Sequence, residues 1–135
     1  MKYPELEIDW KQYPLLADNI WHAQMAGAPM VLTYNGPDVK VRRTVRRQAM
    51  HYEHDGLRSE IPHILSRDEY PFACSLEGGR SSWVGHIPAA ENSAQGGLIA
   101  AFLRRHRIVA GRGVQSMFVV KVTNHPRGPV TERGR

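Results

Sequence analysis

RDEYPFACSLEGGRSSWVGHIPAAENSAQGGLIAAFLRRH (Arg67–His106) is the segment from which the architecture of this chain can be worked out. Arg67 to Ser75 leads into Leu76-Glu77-Gly78-Gly79, a tight turn. Ser81 to Ile87 is strand-like, and Pro88 stops it. Glu91 or Asn92 can cap a helix running to about His106, with Leu98, Ile99, Phe102 and Leu103 as its apolar stripe. The segment reads strand–turn–strand–helix. That arrangement sets the end of the first strand beside the start of the helix, so Asp68 and Glu69 come near Glu91 and Asn92.

Upstream, Pro14 to Met25 reads as a helix, with Pro14 in the first turn, Leu16, Ile20 and Ala23 at helical spacing, and Gly27 ending the run. Pro29 to Tyr34 is a short β-prone run closed by the turn Asn35-Gly36-Pro37. Asp38 to His51 reads as a second helix, its apolar line Val41, Val45 and Ala49, with arginines opposite; Glu53 to Ser66 reads as a loop. Downstream, Gly111-Arg112-Gly113 breaks the helical pattern, and Val114 to Val122 reads as a central strand. The polar, Pro- and Gly-containing tail after Asn124 is expected to be frayed. Helices and strands in this order give the α+β class.

The 135 residues suit one domain with one core, and 41% hydrophobic with 23% charged residues is a globular composition. No apolar run reaches the about 18 residues of a membrane span. The first ten residues show neither an apolar run nor a small-residue cleavage site, so no signal peptide is visible. The single Cys74 excludes an intrachain disulfide, argues against a structural zinc site of the thiolate type, and is read as a small buried residue rather than a nucleophile. The net charge of +5 suggests a polyanionic partner. That charge is clustered: Lys40, Arg42, Arg43, Arg46 and Arg47 fall together, and Arg104, Arg105 and Arg107 form a second group.

Arg67 to Gln95 is the densest polar stretch. Carboxylates and an amide brought together suit a hard divalent cation such as Mg²⁺, Mn²⁺ or Ca²⁺. A cation beside a carboxylate base is sufficient for phosphodiester hydrolysis. The same residues also admit plainer readings: a solvated carboxylate pair, and a Glu-Asn helix cap.

Arg67-Asp68-Glu69-Tyr70-Pro71-Phe72-Ala73-Cys74, followed by Glu77-Gly78-Gly79 and Glu91-Asn92-Ser93-Ala94-Gln95-Gly96, resembles the hallmark of the NucA/NucB deoxyribonucleases. Tyr13-Pro14, Ala17, Ile20, Ala23 and Gly27, then Val31-Leu32-Thr33 and Arg42-Arg43, resemble that family's amino-terminal half, and Val114 to Val122 resembles its closing strand, so the likeness covers about residues 13–122 of a single nuclease domain. The resemblance implies a small sheet with a ββα-metal core and flanking N-terminal helices. It implies a DNA endonuclease of little sequence preference, dependent on one Mg²⁺ or Mn²⁺. It puts the general base on Asp68 and the metal-binding asparagine on Asn92, with Glu91 a second contributor and Gln95 orienting the site. A free Asp, of pKa about 3.9, is a weak base, so the water must be acidified or oriented by the metal.

Arg67 is then a candidate for the scissile phosphate or a structural ion pair. Glu69 is a candidate metal contact through water or a partner for an arginine. His86 is a packed histidine or a neighbour of the metal. Trp83 is read as core packing, with base stacking as its alternative, and Glu77 as a residue that only precedes a turn. Arg104, Arg105, Arg107, Arg42 and Arg43 are candidates to track the DNA backbone. Secreted relatives carry a signal peptide and extra cysteines. Their absence here points to a domain secreted or delivered as part of a larger chain into a target cytoplasm, similar to toxin domains of interbacterial effectors, whose partner is an acidic immunity protein. Three alternatives stay open: an inactive nucleic-acid-binding module of the same fold, a ribonuclease, and an interaction domain with a basic face.

Overall fold

The computed structural model describes residues 2–37, 65–79 and 82–131. The class is α+β, as expected. A strand precedes the first helix: in β1 (Glu5–Asp9), Leu6 and Ile8 are buried while Glu5 and Glu7 face out. That is the period-2 alternation of a half-buried strand. Helix α1 (Pro14–Met25) has the expected limits and buries Leu16, Ala17, Ile20, Trp21, Ala23 and Gln24. Gly27, at φ +111°, supplies the left-handed residue that turns the chain out of the helix. Strand β2 (Val31–Thr33) follows. The expected helix Asp38–His51, with Arg42 and Arg43, lies outside the described residues, as does most of the expected loop. The last two residues expected in that loop, Leu65 and Ser66, belong instead to β3 (Leu65–Tyr70), which pairs antiparallel with β4 (Trp83–Pro88), and β4 leads directly into α2 (Ala89–Arg105). The strand–turn–strand–helix order of the sequence reading is the order in the fold.

Strand β5 (Met117–Thr123) is central, with β1 parallel on one side and β2 antiparallel on the other. Sequence reading starts this strand at Val114. Val114–Ser116 instead forms a short 3₁₀ turn after Gly113, leaving Val114 exposed, so β-prone composition is overridden by the preceding glycine break. Leu6, Ile8, Leu32, Phe118, Val120 and Val122 from this sheet pack with α1, and Tyr70 and Ile87 of the hairpin join the same core. Polar ties among side chains and backbone help hold the hairpin to the sheet. The Gln24 Nε2 group donates to Tyr70 OH and to the Val120 carbonyl, both at 3.0 Å. Glu77, expected only to precede a turn, accepts from the Thr33 N–H at 2.7 Å and the Thr33 hydroxyl at 2.8 Å. The turn is thereby pinned to β2.

The tail departs most from expectation. His125 is buried and stacks parallel on Trp21, with ring centroids 4.2 Å apart. The Arg127 N–H donates to His125 Nδ1, so Nε2 carries the proton and donates to Asp18 at 2.8 Å. The Trp21 indole donates to the Gly128 carbonyl at 2.8 Å, and the Arg127 guanidinium lies 4.7 Å from the same ring. The tail is a docked segment to at least Gly128, because aromatic stacking and two hydrogen bonds to α1 outweigh its polar, proline-containing composition.

Candidate active site

Strand alternation puts Asp68 and Tyr70 on the face of the β3–β4 hairpin turned to the helices, and Arg67 and Glu69 on the other. Asp68 is only 2% exposed. A buried carboxylate needs donors for both oxygens, and two helices supply them. Gln95 of α2 donates from Nε2 to Oδ1 at 2.8 Å, and Asn19 of α1 donates from Nδ2 to Oδ2 at 2.9 Å. Burial pushes the Asp68 carboxyl up to about 6, and the bonds from Gln95 and Asn19 pull against that rise without cancelling it. The weakness of a free Asp as a base is therefore largely removed by the fold itself, since a base with a pKa near the working pH is the better proton acceptor.

Asn92 and Gln95 stand one turn apart on α2, facing β3. The Asn92 side-chain amide donates to Ser66 Oγ at 2.9 Å and, more weakly, to the Arg67 carbonyl at 3.4 Å. Its Oδ1 takes a long bond, 3.3 Å, from Gln95 Nε2. Gln95 thus directs its N–H groups at two oxygens, which fixes its amide orientation. Its Oε1 is buried with no hydrogen-bond partner among the described residues. A cavity of about 500 Å³ opens here between β3 and α2. Arg67, Asp68, Glu69, Asn92 and Gln95 form its polar wall, and Phe72, Cys74, Ile99 and Leu103 much of the rest.

Other expected residues go elsewhere. The helix starts at Ala89, two residues before Glu91, and has no side-chain cap. Glu91 instead reaches α1, where its Oε1 accepts from the backbone N–H groups of Leu15 and Leu16, each at 3.1 Å. The reason is electrostatic: the first N–H groups of α1 lack partners in their own helix and Tyr13 offers no side-chain cap, so an outside carboxylate is favoured there. The likeness to a metal ligand thus meets a carboxylate already engaged as a helix cap. His86 pairs with Arg67 across the hairpin, on the face away from Asp68, and is not among the cavity walls. Trp83, expected in the core, is 39% exposed. Arg104 and Arg105 end α2, and Arg107 follows; all three are exposed and outside the cavity. Cys74 is buried, as expected, and lines the cavity.

Asn19 is the site residue that sequence reading misses. An Asn within a helix is a weak helix former, and that mild anomaly is its one local signal. Gly85 is a second such signal, since glycine inside a strand often marks close approach of another group. For a divalent cation, no group of three or more His, Cys, Asp or Glu among the described residues is suitably placed. The oxygen-bearing side chains of the cavity wall are Asp68, Glu69, Asn92 and Gln95. Hard oxygen donors with the unpartnered Gln95 Oε1 among them fit Mg²⁺ or Mn²⁺ retaining several waters.

The family model described as Deoxyribonuclease NucA/NucB matches residues 20–116, well over half of the chain. No curated protein matches the sequence.

Proposed function

The chain belongs to the NucA/NucB deoxyribonuclease family, and we propose that it is a divalent-metal-dependent endonuclease that hydrolyses DNA phosphodiester bonds with little sequence preference. The observation that carries this reading is the buried Asp68 carboxylate, held by two side-chain amides at the wall of an open cavity. In this reading Asp68 accepts the proton of the attacking water. Its raised pKa leaves it mostly ionised at pH 7 to 8 yet basic enough to take that proton. Asn92 and Gln95 offer oxygens to the cation, which when bound supplies positive charge to the phosphate and the departing oxygen. Strand alternation sets the Arg67 side chain on the hairpin face away from Asp68, so Arg67 takes no part in the step at the carboxylate. The apolar walls Phe72, Ile99 and Leu103 keep bulk water from competing for these groups.

Plasmid nicking by the wild type and Asp68→Ala, each with Mg²⁺, Mn²⁺ or EDTA, tests this. Conversion of supercoiled plasmid by the wild type with metal, its arrest by EDTA and a loss of about 100-fold or more in Asp68→Ala are expected. A wild type that shifts DNA in a gel but nicks none with either metal would make the domain a binding module. Faster cleavage of RNA than of DNA would make it a ribonuclease.

A further inference from the structure

The grip on Asp68 has two sides, and the side from α1 is itself anchored. Asn19 Oδ1 accepts a hydrogen bond from the Trp83 indole at 3.0 Å, while its Nδ2 donates to Asp68 Oδ2 at 2.9 Å. An indole N–H can only donate and an ionised carboxylate can only accept, so one orientation of the amide satisfies both. Beside them, Gly85 stands opposite Asp68 in the hairpin register. A Cβ on Gly85 would lie 2.1 Å from Asn19 Oδ1 and 2.8 Å from its Cγ. The amide occupies the space that a side chain at that strand position would fill. Asn19 also lies one residue before the segment that matches the family.

We propose that Asn19, anchored by Trp83 and accommodated by Gly85, is a positioning residue that fixes the plane of the Asp68 carboxylate for proton transfer. With Gln95 on Oδ1 and Asn19 on Oδ2, the carboxylate cannot turn about its Cβ–Cγ bond without losing a donor. Each oxygen keeps a lone pair for the attacking water. Remove Asn19 and the grip becomes one-sided, so the reacting oxygen is misplaced part of the time. Remove the indole N–H and the amide keeps its bond to Asp68 but loses the anchor at its far end, a smaller defect. Trp83 is partly exposed because its ring edge serves this bond from the rim of the hairpin rather than the core.

The role rests on the nuclease reading above, and kinetics on a linear duplex with metal separate the two. Asn19→Ala lowers kcat on the order of 100-fold, the scale of a misplaced reacting group, while KM for DNA stays within about twofold. Trp83→Phe lowers kcat about tenfold, and the double variant is no slower than Asn19→Ala, because both substitutions act through one hydrogen-bonded chain. Gly85→Ala, which displaces the amide, resembles Asn19→Ala. Independently of activity, the Trp83 indole ¹H–¹⁵N resonance shifts in Asn19→Ala. An active wild type with an unchanged kcat in Asn19→Ala overturns the role and leaves the nuclease reading intact. Multiplicative losses in the double variant, an unmoved indole resonance, or a Trp83→Phe defect confined to KM also overturn it, the last by making Trp83 bind DNA directly. A wild type inert with every metal removes the reaction and the role together.

Discussion

Asp68 is held by neutral amides rather than by a cation, and that choice has an energetic signature. A carboxyl pushed from 3.8 to about 6 by burial destabilises the folded state at neutral pH by about 3 kcal/mol. The cost is fully present when pH exceeds the folded value and disappears as pH falls below the unfolded one. For this group, therefore, acidification from pH 8 to pH 4 adds stability, whereas the proposed role as a base would be lost over the same range. Asp68→Asn is expected to be more stable than the wild type at pH 8, by about 1–3 kcal/mol, with the advantage shrinking toward pH 5. Urea unfolding at the two pH values measures this, and a variant weaker than the wild type at pH 8 would contradict it. The wild-type kcat should fall about tenfold per pH unit below about 6. A rate unchanged down to pH 5 would remove Asp68 as the base.

At the scale of elements, the site is where α1 and α2 exchange support across the hairpin. Glu91 of α2 caps α1, and α1 returns Asn19 to the carboxylate that Gln95 of α2 already holds. Glu91→Ala should lower stability by about 1 kcal/mol, the usual size of a missing cap, and Glu91→Gln, which keeps an acceptor oxygen, should recover most of it. Equal losses in both would point to the charge rather than the cap. Gly97 is exposed in the middle of α2, and a Cβ there meets nothing within 4 Å. Gly97→Ala should therefore raise stability by about 0.5–1 kcal/mol in the same assay.

The limits of α1 are legible in the sequence because Pro14, the Leu16–Ile20 spacing and Gly27 are local signals. The hairpin and α2 are legible for similar reasons, and Asp68 through its run of neighbours. The partners of Asp68 and Glu91 are not, because Asn19 and Asp68 are 49 positions apart and Leu15 and Glu91 are 76 apart. No local periodicity encodes such a pairing. Strand β1 is written in the Leu6/Ile8 alternation, but at five residues it is too short to stand out. The docked tail is hidden by its composition, since Trp21, its partner, lies at the other end of the chain.

The whole molecule carries a formal charge of +5, and among the described residues Arg104, Arg105 and Arg107 concentrate part of it just past the cavity. Two physical roles fit cations there. They complement the carboxyl end of the α2 dipole, or they hold phosphates of a substrate whose reacting bond sits at Asp68. Gln95 and Arg104 are nine residues apart in α2, about 14 Å along the axis by helical rise. At 3.4 Å per nucleotide of one strand, that is roughly four steps of a duplex. Only the second role is sensitive to substrate length. The variant Arg104→Gln/Arg105→Gln should raise KM for a long duplex and reduce its salt slope by about one unit for each phosphate no longer neutralised. Cleavage of bis-p-nitrophenyl phosphate, which fills the cavity but cannot reach the arginines, should be unchanged. If the arginines only stabilise the helix end, the variant loses up to about 1 kcal/mol of stability, while KM and salt slope on the long duplex stay where they were.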